Sequence, residues 1–400
     1  MKITYILNST ISQSGATKSF LILLDGMINK GIKPIIVVPN KNGIYTQLTQ
    51  RGVEVIDISF RDATYPWLRN EKDYLLFIPR LIGRWWLNFR AVSILSNRLK
   101  AERIDIIHSN VSIIDIGYRL SRKLHIPHVY HIREYGDLDF NINYFPSKRI
   151  FLKRLRSSQS YSICITKSVQ QHHQQISNAS SVVIYNGIHE PTEYKEPIIN
   201  KAYFLYAGRI EPSKGLDYLL EAYANYNGTY PLYIAGAYDR NSDYYKKIIS
   251  IITEKELNNK VYILGERDDI EDLMQKAIAL IVSSPYEAFG RCMAEAMFNC
   301  CLVIGHNTSG TKEQFDNGLQ YVNKEIGLRY SSMSELTNCL KEVDIMSSVR
   351  YDEYTRNALA VVNSLYSTQA CIEKINCFYK KVVNESKSNC ILSSSVSSNS

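Results

Sequence analysis

Two carboxylates, Glu287 and Glu295, stand eight positions apart in the segment Ser-Pro-Tyr-Glu-Ala-Phe-Gly-Arg-Cys-Met-Ala-Glu-Ala-Met at residues 284–297. A strand-like apolar run at 277–282 precedes the segment, and a helix-forming run at 292–298 ends it. One carboxylate is therefore predicted in a loop after a strand, and the other about two turns into a helix. Ligands of open α/β sheets bind at the carboxyl ends of strands. The pair predicts two acceptors for one polyhydroxylated ligand, with helix N–H groups between them.

A second motif supplies positive charge. Arg209 and Lys214 lie in Gly-Arg-Ile-Glu-Pro-Ser-Lys-Gly at 208–215, directly after the predicted strand 203–207 and before a helix. Two cations beside a helix N-terminus can bind a diphosphate, with Arg209 as a fork and Lys214 as a point charge. An ordinary turn with solvated cations is the alternative for this motif taken alone.

Weaker candidates lie in the first half of the chain. Gly15 and Ala16 form a small turn after the first strand, where backbone N–H groups can approach a phosphate or a sugar. His131, followed by Arg133 and Glu134, ends a predicted strand and is a candidate for the ligand crevice. The Asp-Leu-Asp triplet at 137–139 is interpreted as a loop, and no metal site is predicted.

Small residues at 309–311, Ser-Gly-Thr, follow another predicted strand. They can admit a ligand to the backbone there, and they are equally typical of a plain turn.

The elements that must position these residues alternate between short β-branched runs and helical patterns along the whole chain. Such alternation predicts parallel sheets covered by helices on both faces, and the length suits two domains joined near the polar stretch 186–200. A Ser/Asn-rich end predicts disorder. The predicted organisation is a Rossmann-like domain at 1–190, a second Rossmann-like domain at 191–365, a C-terminal helix at 366–384 and a disordered tail at 385–400.

The net charge of +8 is unevenly distributed. Residues 1–190 hold 25 Lys and Arg against 13 Asp and Glu, a net +12, and residues 191–400 hold 22 against 26, a net −4. A basic half suggests an anionic partner, which is nucleic acid or a membrane surface, or else a basic face without a partner. Scattered cysteines, no signal-peptide pattern and no long apolar run predict a cytoplasmic protein with reduced thiols.

The segment 75–90 interrupts the alternation with apolar bulk, three arginines and the pair Trp85-Trp86. The stretch 148–156 adds five basic residues and no acid. Cations beside Trp and Phe suit the headgroup layer of a membrane. A core helix with solvated arginines explains the pattern equally well.

Taken together, Gly-Arg-Ile-x-Pro-x-Lys-Gly at 208–215, Asn-Gly-Ile at 186–188 and Glu-Ala-Phe-Gly with a second Glu eight residues on resemble the family 4 glycosyltransferases. The resemblance spans roughly residues 1–380. It implies the GT-B fold, with two doubly wound α/β domains that face a central cleft and C-terminal helices that cross back to the first domain. It also implies retention of anomeric configuration and a nucleotide-diphosphate sugar as co-substrate.

The resemblance assigns roles residue by residue. Arg209 and Lys214 would hold the donor diphosphate, Glu287 would contact the donor sugar near its reacting carbon, and Glu295 would bind the ribose. Backbone N–H groups would come from the turn Phe289, Gly290 and Arg291. From the first half, Gly15 and Ala16 would close over the donor, His131 would lie near the transferred sugar, and Asn186 would belong to the donor-binding residues.

The sequence therefore predicts a glycosyltransferase that needs no metal. Its acceptor is expected to be a glycan or a lipid-linked saccharide of surface, capsular or exopolysaccharide synthesis, and its place the inner face of the plasma membrane. The alternatives are a nucleotide-sugar epimerase of the same fold and a non-enzymatic nucleic-acid-binding protein. The second needs no such combination of glutamates and cations, so no nucleic-acid partner is expected.

Overall fold

A computed structural model describes residues 1–12, 14–68, 70–194 and 202–397. The chain forms two compact units, one from Met1–Gly187 with the C-terminal segment that starts at Cys371, and one from Ile188–Ala370. The first unit thus ends three residues before the predicted boundary at 190. Of the predicted joint at 186–200, residues 195–200 lie outside the described residues.

The first unit is built on a seven-stranded parallel sheet with the order β3-β2-β1-β4-β5-β6-β7. The three strands at 106–109, 128–132 and 160–164 are buried along their whole length, as expected for a parallel sheet with helices on both faces. The strands are β1 Lys2–Ile6, β2 Lys33–Val38, β3 Glu54–Asp57, β4 Ile106–Ser109, β5 His128–Ile132, β6 Ser160–Cys164 and β7 Ser181–Val183.

Eight helices connect these strands in the described part of the unit. They are α1 Gly15–Asn29, α2 Tyr45–Gln50, α3 Glu71–Leu75, α4 Phe77–Leu99, α5 Asp115–Leu124, α6 Asp137–Phe140, α7 Lys148–Leu155 and α8 Lys167–His172. The strand order reverses between β1 and β4, so the loops after these two strands lie side by side at the carboxyl edge. One of these loops leads into Gly15 and Ala16 at the start of α1.

The core of the first unit contains buried imidazoles that predict sensitivity to acid. Burial lowers the pKa of His128 to about 3 and that of His173 to about 4. Burial, with help from the Arg133 guanidinium, holds the pKa values of His108 and His131 well below the usual range. The unfolded chain binds protons below about pH 6.5 that the native unit cannot bind, so each group costs about 1.4 kcal/mol of stability per pH unit below that value.

We therefore expect the stability of the first unit to fall towards pH 5, because the four imidazoles outnumber the buried carboxyls of Glu134 and Asp62, whose pKa values are raised to about 7 and about 6 and act in the opposite direction. Denaturant unfolding with hydrogen exchange would assign the loss to this unit. In His128→Gln the amide can replace the 2.8 Å contact between His128 Nε2 and Ser109 Oγ. The dependence of the free energy of unfolding on pH should then decrease by the equivalent of about one proton. The exposed His125→Asn is the control. An unchanged slope in His128→Gln would contradict this account.

The second unit repeats the architecture with a six-stranded parallel sheet in the order β10-β9-β8-β11-β12-β13. The strands predicted at 203–207 and 277–282 are present, and β13 is an additional edge strand of three residues. The strands are β8 Tyr203–Ala207, β9 Leu232–Ala235, β10 Val261–Gly265, β11 Ala277–Val282, β12 Leu302–His306 and β13 Leu328–Tyr330. Both units are α/β and Rossmann-like, as predicted.

Seven α-helices cover this sheet among the described residues, and a 3₁₀ turn at Pro212–Lys214 follows β8. The helices are α9 Leu216–Ala224, α10 Asp243–Glu254, α11 Ile270–Lys276, α12 Arg291–Phe298, α13 Ser309–Val322, α14 Met333–Asp344 and α15 Ser348–Leu365. The strand order reverses between β8 and β11, so the two motifs with candidate chemistry follow neighbouring strands at the switch point of the sheet.

The last helix, α16 at Thr368–Ser397, returns the chain to the first unit. Its inner side chains, among them Ile372 and Ile375, belong to the first unit's core, and Tyr379 donates its hydroxyl to His108 Nδ1 at 2.8 Å. The GT-B resemblance implied that several C-terminal helices cross back. Instead α15 packs against α12 and α13 in the second unit, and α16 makes the return.

Residues 385–397, which the sequence predicts to be disordered, continue α16 in the structure. Extending an existing helix costs far less than nucleating one, and the ion pair of Lys381 with Glu385 at 3.7 Å supports the next turn. Residues 398–400 lie outside the described part of the chain.

Candidate active site

The loops after β8 and β11 are joined by a direct ion pair. Lys214 Nζ donates to Glu287 Oε1 at 2.6 Å, and Ser284 Oγ donates to the same oxygen at 2.7 Å. The hydroxyl of Ser283 donates to the Lys214 carbonyl at 2.9 Å. Gly215 lies so close that an added Cβ would meet the Ser283 carbonyl oxygen at 2.4 Å. The two motifs that sequence analysis singled out therefore form one site.

The charge of Lys214 is maintained by its partner. Burial by itself lowers the pKa of this ammonium, and the Glu287 carboxylate raises it by more, so the net shift is upward. Lys214 consequently keeps its positive charge near neutral pH.

Arg209 occupies the other end of the same loop. Its Nη2 pairs with Glu211 Oε1 at 2.9 Å, and more than half of its side chain is exposed to solvent. The loop beneath it is held by the bond from the Gly208 N–H to the Ala235 carbonyl at 2.9 Å. The guanidinium is thus lightly held and available for an additional anion.

The turn at 289–291 leads into α12. Gly290 has φ of +85°, a backbone conformation that favours glycine, and Phe289 is buried beneath it. The Arg291 guanidinium donates to Glu295 Oε1 at 2.9 Å, one turn along the helix. Glu295, the second predicted carboxylate, is therefore fixed by Arg291, and each carboxylate of the pair has its own cation.

Sequence analysis left open what residues 309–311 do, and the structure gives them a supporting position. The Gly310 N–H donates to the Glu287 carbonyl at 2.7 Å, and a Cβ at Gly310 would lie 2.6 Å from that oxygen. Gln314 Nε2 donates to the Gly290 carbonyl at 3.1 Å. Gly310 and Gln314 hold the Glu287 loop from below. The absence of a side chain at the helix start was the only sequence signal for this contact.

In the first unit, three of the predicted residues are linked through Arg133. Its Nη1 donates to Asn186 Oδ1 at 2.7 Å and its Nη2 to His131 Nδ1 at 3.2 Å. Its Nε donates to Asn110 Oδ1 at 3.1 Å, and Asn110 Nδ2 reaches the Ala16 carbonyl at 3.3 Å. Asn110 was missed by sequence reasoning, and its position directly after β4, the neighbour of β1, is the signal that could have found it.

The hydrogen bond from Arg133 to His131 Nδ1 fixes the tautomer of the His131 imidazole. A guanidinium can only donate, so Nδ1 must accept and the ring proton must lie on Nε2. The lowered pKa keeps the imidazole neutral. His131 is therefore a hydrogen-bond donor through Nε2 rather than a base. Burial raises the pKa of the neighbouring Glu134, which accepts from the Ser112 N–H at 2.8 Å, to about 7.

The Asp-Leu-Asp triplet serves the local structure. Asp137 pairs with Lys148 at 2.6 Å and with His172 at 2.7 Å. Asp139 accepts from the Gly136 N–H at 2.7 Å at the start of α6. Across the described residues, no group of three His, Cys, Asp or Glu side chains has a metal-binding arrangement.

Family comparison places both halves of the chain. Residues 14–190 match the description "Glycosyltransferase Family 4", and residues 192–338 match "Glycosyl transferases group 1". The chain is a family 4 glycosyltransferase. Its two α/β units are those of the GT-B fold.

One curated protein resembles this chain in sequence, and two solved structures resemble it in fold. An uncharacterised glycosyltransferase of Methanocaldococcus jannaschii is 27% identical to this enzyme over 301 residues, which are 72% of this chain and 81% of that protein. The structure of Anabaena HepE in complex with UDP and glucose has a TM-score of 0.73 at 20% identity and covers 95% of this chain and 100% of HepE. Sucrose-phosphate synthase of Thermosynechococcus elongatus has a TM-score of 0.71 at 14% identity, covering 96% and 100%.

Within the described ranges, no helix combines the length and the hydropathy that a bilayer crossing demands.

Proposed function

We propose that this glycosyltransferase moves a sugar from a nucleotide-diphosphate sugar to a glycan acceptor, with retention of anomeric configuration. The observation that carries the proposal is the contact of Lys214 with Glu287 at the switch point of the second sheet, beside the lightly held Arg209. A carboxylate for sugar hydroxyls and two cations for phosphates are the groups that such a donor requires.

The proposed chemistry follows from charge. Departure of the nucleotide leaves negative charge on its diphosphate, and Arg209 and Lys214 stabilise that charge without a metal ion or another cofactor. Glu287 then lies with the transferred sugar, and Glu295 binds the ribose hydroxyls with its remaining acceptor capacity. The N–H groups of the turn at 289–291 serve the sugar and the phosphate.

For the first unit, we propose that Gly15 and Ala16 contact the donor through the backbone. His131 donates from Nε2 to the transferred sugar. Asn186 acts as a positioning residue, since its side-chain oxygen holds the guanidinium of Arg133, which in turn orients the imidazole.

We further propose that the acceptor is a lipid-linked saccharide of surface, capsular or exopolysaccharide synthesis. The enzyme then works as a peripheral protein at the inner face of the plasma membrane. The net +12 of residues 1–190 supports this location, because cytoplasmic leaflets are anionic.

Donor binding is tested by thermal unfolding with a panel of nucleoside diphosphates and nucleotide sugars. UDP heads the panel because HepE binds it. We expect one base to stabilise the protein by about 2.7 kcal/mol when the ligand is at about 100 times its Kd. The shift should persist with EDTA and should shrink in Arg209→Ala. The absence of a shift with every nucleotide would refute the proposed donor class.

The reaction type is tested by analysing products. With the donor alone, little conversion is expected, whereas an epimerase would isomerise the sugar without an acceptor. With the acceptor present, NMR of the first-formed glycoside should show the anomeric configuration of the donor. An inverted product would contradict retention.

A further inference from the structure

Helix α4 has two halves with opposite environments. Its C-terminal half packs into the first unit through Ala91, Leu95 and Leu99, which are buried. Its N-terminal half, together with the end of α3, exposes large apolar side chains. Leu75, Ile78, Ile82, Trp85, Trp86 and Phe89, here called the α4 apolar face, each have more than half of their surface in solvent.

The spacing of these residues makes one continuous surface. Positions 78, 82, 85 and 89 of α4 recur at intervals of three and four residues and so lie along one side of the helix, and Leu75 ends α3 two positions before α4 begins. The rings of Trp85 and Phe89 stack with centroids 5.7 Å apart. Isolated exposed apolar residues are ordinary, but a contiguous aromatic and aliphatic stripe of this size marks an interaction site.

The charge around the face identifies its partner. Between Tyr74 and Ala101 the sequence contains no acid and five basic residues. Arg80 pairs with Asp73 at 2.6 Å, Arg98 pairs with Glu54 at 3.0 Å, and Arg84 donates to the Thr64 carbonyl at 2.6 Å. The remaining two are Arg90 and Lys100. The Arg90 guanidinium lies 5.5 Å from the ring centre of Trp86, so a cation and an indole are presented together. This combination is complementary to a layer of anionic headgroups over acyl chains.

A second basic helix flanks the face. The Tyr65 ring stacks on Phe77 at the start of α4, at 6.0 Å, and meets Phe145 edge-on at 5.2 Å. Phe145 lies just before α7, whose exposed Arg149 and Lys153 add further positive charge. Tyr65 therefore connects the start of α4 with the residue that lies three positions before the basic stretch 148–156.

We propose that the α4 apolar face docks onto an anionic lipid bilayer, with the indoles at the boundary of headgroups and acyl chains and the arginines on the phosphates. Docking would bring the enzyme to a lipid-linked acceptor, and this purpose is the one part of the proposal that rests on the proposed function. It also resolves the two interpretations of the segment 75–90, because the core-helix interpretation holds only for the half of α4 that follows this segment.

The chain offers a direct readout, because two of its three tryptophans, Trp85 and Trp86, lie on this face and are more than half exposed. With the full chain and vesicles of equimolar phosphatidylcholine and phosphatidylglycerol, we expect a blue-shifted tryptophan emission. Lipids brominated near the glycerol end of the acyl chain should quench it more than lipids brominated near the methyl end. Pure phosphatidylcholine and high salt should weaken binding.

The variant Ile82→Glu/Trp85→Glu places two carboxylates on the face and should weaken vesicle partitioning by about tenfold or more. The control Ile345→Glu replaces an exposed apolar residue of the second unit and should bind vesicles like the wild type. Nucleotide-induced thermal shifts should be retained in both variants. This readout separates failure of docking from failure of the proposed donor chemistry.

The proposal would be overturned if the wild-type protein did not bind anionic vesicles, or if the double variant bound them as well as the wild type. So would a dimer in analytical ultracentrifugation that the double variant converts to a monomer without loss of vesicle binding, because the face would then be a self-interface.

Discussion

Replacement of Lys214 by methionine is expected to lower kcat/KM by a factor on the order of 10²–10³. The substitution keeps the length of the side chain and removes the ammonium that lies 2.6 Å from Glu287 and is proposed to face the departing diphosphate. Of the two side chains that donate to Glu287 Oε1, Lys214 and Ser284, the substitution leaves only Ser284. Steady-state transfer with a nucleotide sugar and an acceptor measures the loss.

The same experiment with Glu287→Gln separates the role of Glu287 at the transferred sugar from that of Lys214 at the diphosphate. The amide retains the size of the side chain but accepts more weakly from Lys214, so we expect a loss of turnover and a smaller effect on nucleotide affinity. Arg209→Ala should act mainly on nucleotide affinity, since Arg209 is exposed and lies at the other end of the loop.

Arg267→Ala is the matched control, because Arg267 is a cation of the same unit whose Nη2 pairs with Asp269 at 2.6 Å. Each variant should unfold near the wild-type temperature. Wild-type rates in Lys214→Met and Glu287→Gln would show that the candidate site is not the active site.

The second large effect is expected from Gly310→Ala, a change of one methyl group outside the proposed ligand contacts. The added Cβ would lie 2.6 Å from the Glu287 carbonyl oxygen and 2.8 Å from that of Ala288, both backbone atoms. The Glu287 loop must therefore shift, and a misplacement of about 1 Å at a reacting centre can cost about 10²-fold in rate. The strain should also cost about 1–3 kcal/mol of stability.

The measurement is kcat/KM together with thermal unfolding of the same preparation. Gly83→Ala is the control, since Gly83 also lies in a helix but a Cβ there meets nothing within 4 Å. The control should keep its activity and gain about 0.5–1 kcal/mol in helix stability. If Gly310→Ala is as active as Gly83→Ala, Gly310 does not position the Glu287 loop.

Much of the site could be predicted because its parts are local in sequence. Arg209 and Lys214 lie within six residues of each other directly after β8, and Glu287 follows β11 in the same manner. Short apolar runs that alternate with helical patterns located both strands. Because ligands of such sheets bind at the carboxyl ends of the strands, the position of the ligand crevice could then be predicted. Gly310 and Asn110 could not be assigned in this way, because each acts through contacts with a segment far away in the chain.

The sequence by itself determined the class of this protein: two parallel α/β units, with the motifs of a nucleotide-sugar enzyme in the second. Short-range periodicity and motif spacing suffice for this. The tertiary structure decided the rest. It paired Lys214 with Glu287 across 73 residues, made Arg133 the link between His131 and Asn186, and exposed one half of α4 while burying the other. These outcomes depend on strand order and on which helix face the sheet covers, and a linear pattern does not encode either.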